Sequence, residues 1–366
     1  MVIDWSQPVF GVAVFLLGAC IGSFLNVAIY RLPRGLSVNE PKRSFCPYCK
    51  KQIPMWRNIP LVTWLVQRGK CAECDAPIAA RYFIVELLTA LVWLGCWFVF
   101  PDPAQAVFFM LLSAILITIS AVDIELMLIP RQLTITGTLL GLGMAALCPE
   151  FLGEVVWWKG LLKSFYGFAF GWVGLWLVVL LGKLAFGKRS FEFDEPTEWM
   201  LREPETDEEE LCFVIGGEPI GWSDIFYRKS DRLLIEGVVY VHVDGERRDA
   251  EVIEIKDNIV HIDGDEFPIG SLKSLDGKAR KAIVPREAMG MGDVDLLGML
   301  GACFGPASLL FTIFAASVVS IIWAVFNRLG FGRLMPFGPS IIAGAVLWVF
   351  WGQDLWLWYL QTVGVY

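Results

Sequence analysis

Gly290-Met291-Gly292-Asp293-Val294-Asp295-Leu296-Leu297-Gly298-Met299-Leu300 sets an aspartate directly behind two glycines at the mouth of an apolar run. A carboxylate that faces lipid is expensive, so an ionisable group at a membrane segment reads first as functional. If Asp293 is a catalytic acid, a second acid must stand at matching depth elsewhere in the chain. Gly290 and Gly292 let backbone come close to a substrate strand or a neighbouring helix, which makes them candidate supports of a catalytic loop.

The rest of the chain agrees with a membrane reading. Of its 366 residues, 56% are hydrophobic and only 19% charged, with a mean hydropathy of +0.57. A soluble chain carries charge on about a quarter of its residues. Long apolar stretches make this a polytopic α-helical membrane protein. Met1-Val2-Ile3-Asp4 lacks the basic start of a cleavable signal, so the first apolar segment is expected to be retained. The net charge of -8 averages an acidic block and a basic loop, and nothing points to nucleic acid.

Eight apolar runs are read as spans: Pro8 to Tyr30, Tyr82 to Phe100, Ala104 to Val122, Leu133 to Cys148, Gly160 to Phe186, Val294 to Cys303, Ala307 to Phe326, and Ile341 to about Tyr359. The first loop carries ten basic residues from Arg31 to Arg81, which makes it cytoplasmic. Alternation then puts both termini outside. It puts the 123–131 loop, the 188–288 block and Arg328 to Arg333 inside.

The 188–288 block divides by pattern. Glu192 to Glu210 is an acidic run with Pro196 and Pro204, expected to be a solvated linker. Beyond it, short alternating runs bounded by Asp244-Gly245, Lys256-Asp257-Asn258 and Asp263-Gly264 predict hairpins of a small antiparallel domain. His242 and His261 alternate with apolar neighbours there and are expected to face solvent.

Nine cysteines are present, four of them as Cys46-Pro-Tyr-Cys49 and Cys71-Ala-Glu-Cys74. Two such pairs at this separation suit a closed, structural zinc site of four thiolates. Redox dithiols or disulfides are the other reading, and a reducing cytoplasmic face argues against stable disulfides.

Asp123 is the partner that matches Asp293. It stands in Ser120-Ala-Val-Asp123-Ile-Glu-Leu-Met-Leu-Ile-Pro130, at the same membrane edge. Two carboxylates held close share a proton, so one can activate water while the other polarises a carbonyl. The acids could instead cap helices, or serve a transporter or a zinc-stabilised scaffold. Glu125 and Asp295 point to other helix faces and are secondary.

The ordered motifs resemble the prepilin peptidases, type IV leader peptidases with a GxGD motif. The resemblance rests on Gly22-Ser23-Phe-Leu-Asn26 through Tyr30-Arg31-Leu-Pro33-Arg34-Gly35, both C-x-x-C pairs, and Asn58-Ile59-Pro60. It continues through Arg81-Tyr82, Glu86-Leu-Leu-Thr89, Asp123 with Ile129-Pro130, Gly290 to Asp293, and Pro336-Phe337-Gly338-Pro339. It implies a bacterial inner-membrane aspartyl endopeptidase, with its active site at the cytoplasmic face and prepilins or pseudopilins as substrates. It implies that Asp123 and Asp293 are the catalytic pair and that Cys46, Cys49, Cys71 and Cys74 hold zinc. It further implies S-adenosylmethionine-dependent methylation of the new N-terminus, for which Ser23, Asn26, Arg31 and Glu86 are candidates. The expected regions are the first helix (1–30), a zinc-binding, methyltransferase-associated loop (31–81) and helices two to five (82–187). The inserted acidic linker and β-rich domain (188–288) follow, then the GxGD motif with the last three helices (289–366). This chain departs from the family's usual residues at Arg131, Asp295 and Ala90, and its insert is long.

Overall fold

A computed structural model describes residues 8–41, 44–46, 48–204, 211–226, 231–285, 290–328 and 335–364. The chain forms two compact units, residues 1–176 with 291–366, and Leu177–Gly290.

The first unit is helical. Its helices are α1 (Pro8–Arg31), the short α2 (Val62–Val66), α3 (Ala80–Val99), α4 (Pro103–Leu126), α5 (Arg131–Leu147) and α6 (Trp157–Phe186), which continues into the second unit. Proline opens several of them, where its missing N–H is no loss. Thus Pro103 follows the N-cap Asp102, whose side chain accepts the N–H of Ala104. Along α1, Val9, Val12, Leu16, Leu17 and Phe24 are exposed, a row that suits lipid and not water. Inside, small residues let helices close up. A Cβ on Gly22 would lie 2.7 Å from the Cα of Glu86, so α1 and α3 touch backbone to backbone there.

The second unit is one antiparallel sheet with a short helix, α7 (Trp222–Ile225). Its strands are β1 (Lys188–Arg202), β2 (Cys212–Ile215), β3 (Glu218–Gly221), β4 (Arg232–Val243), β5 (Glu246–Arg248), β6 (Val252–Lys256), β7 (Ile259–Ile262), β8 (Asp265–Pro268) and β9 (Leu275–Pro285). The order is β3-β2-β1-β9-β4-β6-β7-β8, with β5 on β4. The three expected turns are present, with positive φ at Asp244 and Gly245, Asp257 and Asn258, and Asp263 and Gly264. Alternating residues bury Trp199, Phe213, Leu233, Ile235, Ile253, Ile255 and Val260 in one core. His242 and His261 are part-exposed beside Asp276 and Glu266.

One expectation needs correction, and one is met only in part. The acidic stretch from Glu192 is no linker as far as Arg202: it is β1, an inner strand between β2 and β9. Phe191, Phe193 and Trp199 supply its core face. Its acids meet lysines across the sheet, Glu198 with Lys278 at 3.0 Å and Glu192 with Lys281 at 3.5 Å. The Glu198 hydrogen bond and charge hold Lys278 above the usual lysine range. Pro196 falls in the register break between Glu192 and Thr197, where no ladder N–H is needed. Residues 205–210 of the acidic run lie outside the described residues.

The eight apolar runs all form helix, continuing with α8 (Met291–Phe304), α9 (Pro306–Phe326), α10 (Gly338–Leu347) and α11 (Gln353–Thr362). Among the described residues five helices are long and apolar enough to cross a membrane, six if the pair bent by 72° near Gly352 is one span. The difference lies in α5, with 17 residues, and α8, with 14. At 1.5 Å per residue they reach about 26 and about 21 Å, short of a hydrocarbon core about 30 Å thick.

Candidate active site

Asp123 lies in the last turn of α4, buried at 5% exposure. The helix stops because Met127 adopts a left-handed φ of 51° and returns its N–H to the Asp123 carbonyl. The chain then runs to Pro130, which caps the start of α5. One carboxylate oxygen of Asp123, Oδ2, accepts the N–H of Gly338 at 2.9 Å. Gly338 is the first residue of α10, so the positive end of that helix meets the carboxylate. The Pro336-Phe337-Gly338-Pro339 motif was visible in the sequence, but nothing in its spacing disclosed this contact.

Asp293 lies in the first turn of α8 and is half-buried. Gly292, the residue before it, packs on Ile129, and so does Gly338, whose N–H is held by Asp123. Ile129 holds their segments together. A Cβ on Gly292 would come within 2.8 Å of the Ile129 Cβ, and one on Gly338 within 3.3 Å of the Ile129 Cδ1. Gly290 immediately precedes α8. The two neighbouring acids are engaged elsewhere. Glu125 takes the Arg81 guanidinium. Asp295 accepts the Trp172 indole N–H at 2.8 Å and lies 3.9 Å from Arg131. Two of the family departures, Arg131 and Asp295, therefore face each other.

The four cysteines come together in the loop between α1 and α3. Their Sγ atoms all lie within 4.8 Å of one another, a group that could hold a metal ion. Each pair sits in the same kind of turn. Cys46 N–H bonds to Lys51 O and Cys71 N–H to Ala76 O, while Lys50 and Asp75 return their N–H to Cys46 and Cys71. Lys50 and Asp75 both carry positive φ. Glu73 bridges the two turns by pairing with Lys51 and Arg57. Burial opposes a Cys46 thiolate, but the amides of Cys49 and Tyr48 and the neighbouring thiols bring it down to about 7. At Cys74 the Ala76 amide favours the thiolate, yet desolvation and the other three sulfurs push it up to about 12.

Beside this cluster is a cavity of about 450 Å³ between α1, α3 and the intervening loop. Ser23, Asn26, Arg31 and Glu86 all line it, with Tyr30, Trp64 and Tyr82 among its aromatic walls. Arg31 is committed to structure, since its guanidinium donates to the carbonyls of Ser37, Val38 and Pro41. Asn26 and Glu86 are buried polar groups on its wall. Asp123 and Asp293 are not among its lining residues, so the cavity and the carboxylate pair are separate sites.

Residues 16–100 match the bacterial peptidase A24 N-terminal domain, and residues 269–325 match the type IV leader peptidase family. The first match contains all four cysteines and the second contains Asp293, while Asp123 falls between them. The chain is 39% identical over 138 residues to the prepilin leader peptidase/N-methyltransferase of Myxococcus xanthus, covering 38% of this chain and 41% of that relative. It is 33% identical to the enzyme of that name from Dichelobacter nodosus, covering 50% and 70%. Against the one from Pseudomonas aeruginosa it is 34% identical, covering 52% and 71%. No solved structure matches the chain. With both family domains in order and relatives matched over two thirds of their length, the chain belongs to the prepilin leader peptidase/N-methyltransferase family.

Proposed function

We propose that this inner-membrane protein is an aspartyl endopeptidase that cuts the leader from type IV prepilins or pseudopilins. Asp123 and Asp293 are its catalytic pair. The observation that carries this reading is a convergence of segments: Ile129, six residues past Asp123, packs against Gly292 beside Asp293 and against Gly338, which donates its N–H to Asp123. One carboxylate takes a proton from water as that water attacks the scissile carbonyl, and its protonated partner donates to the carbonyl oxygen. The Gly338 N–H occupies Oδ2 of Asp123 and leaves Oδ1 for the water or the shared proton. Gly292 lets the first turn of α8 close against Ile129, and Gly290 leads the chain into that turn.

The remaining assignments belong to the same reading. The basic loop after α1, and with it the active site, faces the cytoplasm, with eight membrane-embedded helical segments and both termini outside. The four thiols suit zinc: Zn–S bonds of about 2.3 Å give tetrahedral sulfur–sulfur edges of about 3.8 Å, and Cys46 and Cys74 Sγ stand 3.8 Å apart. Zinc there is structural, since four thiolates close its shell. The cavity is the methyl-transfer site, where S-adenosylmethionine would supply the methyl group. Its volume of about 450 Å³ lies within the usual small-molecule range of about 300–1,000 Å³. The Asn26 Oδ1 is buried on its wall without a hydrogen-bond partner among the described residues.

The test is substitution. Asp123→Asn and Asp293→Asn should each lower leader cleavage by about 10²–10⁴-fold, with zinc content unchanged. A cleavage-competent Asp293→Asn protein rejects the mechanism.

A further inference from the structure

Two buried acceptors on the cavity wall have no assigned task. Asn26 is 2% exposed, and its Nδ2 donates to the carbonyls of Gly22 and Tyr82. That leaves Oδ1 without a partner among the described residues. Glu86 is 9% exposed, on the facing helix. One of its oxygens accepts the Leu61 N–H at 2.7 Å. Among the described residues no lysine or arginine is paired with Glu86, whereas Glu73 nearby holds two cations. A buried carboxylate without a cation, beside a buried amide oxygen without a donor, is costly in isolation. A group that is both cationic and rich in N–H donors would satisfy both. A primary ammonium has that chemistry.

Resting on the reading of this cavity as the methyl-transfer site, we infer that Glu86 and Asn26 form a subsite for the free α-amine of the processed chain. Glu86 takes one proton from the ammonium, leaving a neutral amine with its lone pair free. That nitrogen bonds to the methyl carbon as the carbon–sulfur bond breaks. The bonding pair stays on sulfur, which leaves as a neutral thioether. The product is a secondary ammonium, and the proton on Glu86 returns to solvent. Asn26 Oδ1 accepts a remaining N–H and orients the lone pair.

The subsite predicts selectivity for a free N-terminus that binding alone can read. Full-length protein in detergent, saturated with S-adenosylhomocysteine, is titrated with a synthetic peptide bearing the mature prepilin N-terminus. The same peptide with an acetylated N-terminus is titrated alongside. The free amine should bind at least about tenfold tighter than the acetylated form. Glu86→Gln keeps an oxygen for the Leu61 N–H and removes only the charge. It should abolish the preference and lower the methylation kcat on the pre-cleaved peptide by about 10²-fold or more. Its zinc content and S-adenosylhomocysteine affinity should stay within about twofold of wild type. Glu86→Asp should retain part of the preference.

Equal binding of the two peptides to the wild type overturns the subsite without reference to any variant. A Glu86→Gln protein that keeps the preference overturns it too. So does one that loses S-adenosylhomocysteine instead, since Glu86 would then serve the methyl donor. If the wild type binds no S-adenosylhomocysteine, the reading of the cavity itself fails, and the subsite with it.

Discussion

Gly292→Ala tests the active-site geometry with a single methyl group. The added Cβ would lie 2.8 Å from the Ile129 Cβ and 3.5 Å from the Ile129 backbone N. Carbon atoms pack at about 3.5–4.0 Å, so the two segments must part by about 0.8 Å. Ile129 cannot yield by changing rotamer, because its Cβ is fixed to the backbone. Pro130, buried and rigid in φ, follows it directly. The first turn of α8 moves instead and carries Asp293, the next residue. Misplacing a catalytic group by about 1 Å costs about 10²-fold in rate, and overpacking costs about 1–3 kcal/mol of stability. Leader cleavage followed by mass should show kcat down by about 10²-fold with KM little changed. Adding Ile129→Gly removes the opposing Cβ and should recover part of that loss. A Gly292→Ala enzyme with wild-type kcat and wild-type thermal stability would show that the close approach does not govern the acid pair.

The other predictions concern the thiol cluster, the flanking acid and the inserted sheet. Cys46→Ser should lose stoichiometric zinc and lower the melting temperature, measured by metal analysis and thermal unfolding; unchanged zinc content refutes the four-thiol site. Asp295→Asn should alter cleavage by less than about threefold, because Arg131 is 80% exposed and 3.9 Å away and exposed ion pairs contribute about 0–1 kcal/mol; a loss approaching that of Asp293→Asn would make Asp295 part of the catalytic group. Trp199→Ala should destabilise the sheet by about 3–5 kcal/mol, read as faster hydrogen exchange in β1, β9 and β4. We propose that the acids at 205–210 steer basic leaders, so their neutralisation should flatten the fall of kcat/KM with salt; an unchanged salt slope removes that role.

The fold class was legible because apolar length and loop charge act locally. The hairpins were legible because Asp-Gly and Asp-Asn turns force positive φ at fixed positions. The symmetric cysteine turns followed from C-x-x-C spacing. Strand β1 was not legible. Its charges read as solvation until Lys278 and Lys281, far along the chain, are found opposite them. A deletion of 192–210 would therefore remove most of an inner strand along with the acids. Asp123 and Asp293 could be matched by their places at the ends of apolar runs, but the Gly338 amide on Asp123 could not, because a hydrogen bond between the ends of two distant helices leaves no periodic trace. Arg131 and Asp295 each look anomalous alone, and only their proximity shows one change of charge facing another.

The separation between the carboxylate pair and the cavity has a structural counterpart in one ion pair. Arg81 lines the cavity and also grips Glu125, two residues past Asp123. Arg81 is the second residue of α3, and Glu125 is in the last turn of α4, so the pair ties together the ends that bear the two sites. Cutting and methylating make opposite demands. Two acids around a water must stay clear of cations, whereas an amine must be received by acceptors that lack one. Glu125 is occupied by Arg81 and Asp295 by Trp172 and Arg131, which removes the two nearest spare acids from competition for the basic leader. Asp123, Asp293 and Glu86 are then the carboxylates in these two sites without a cationic partner among the described residues. That pattern is what the proposed pair of reactions, on one peptide bond and then on its new amine, would require.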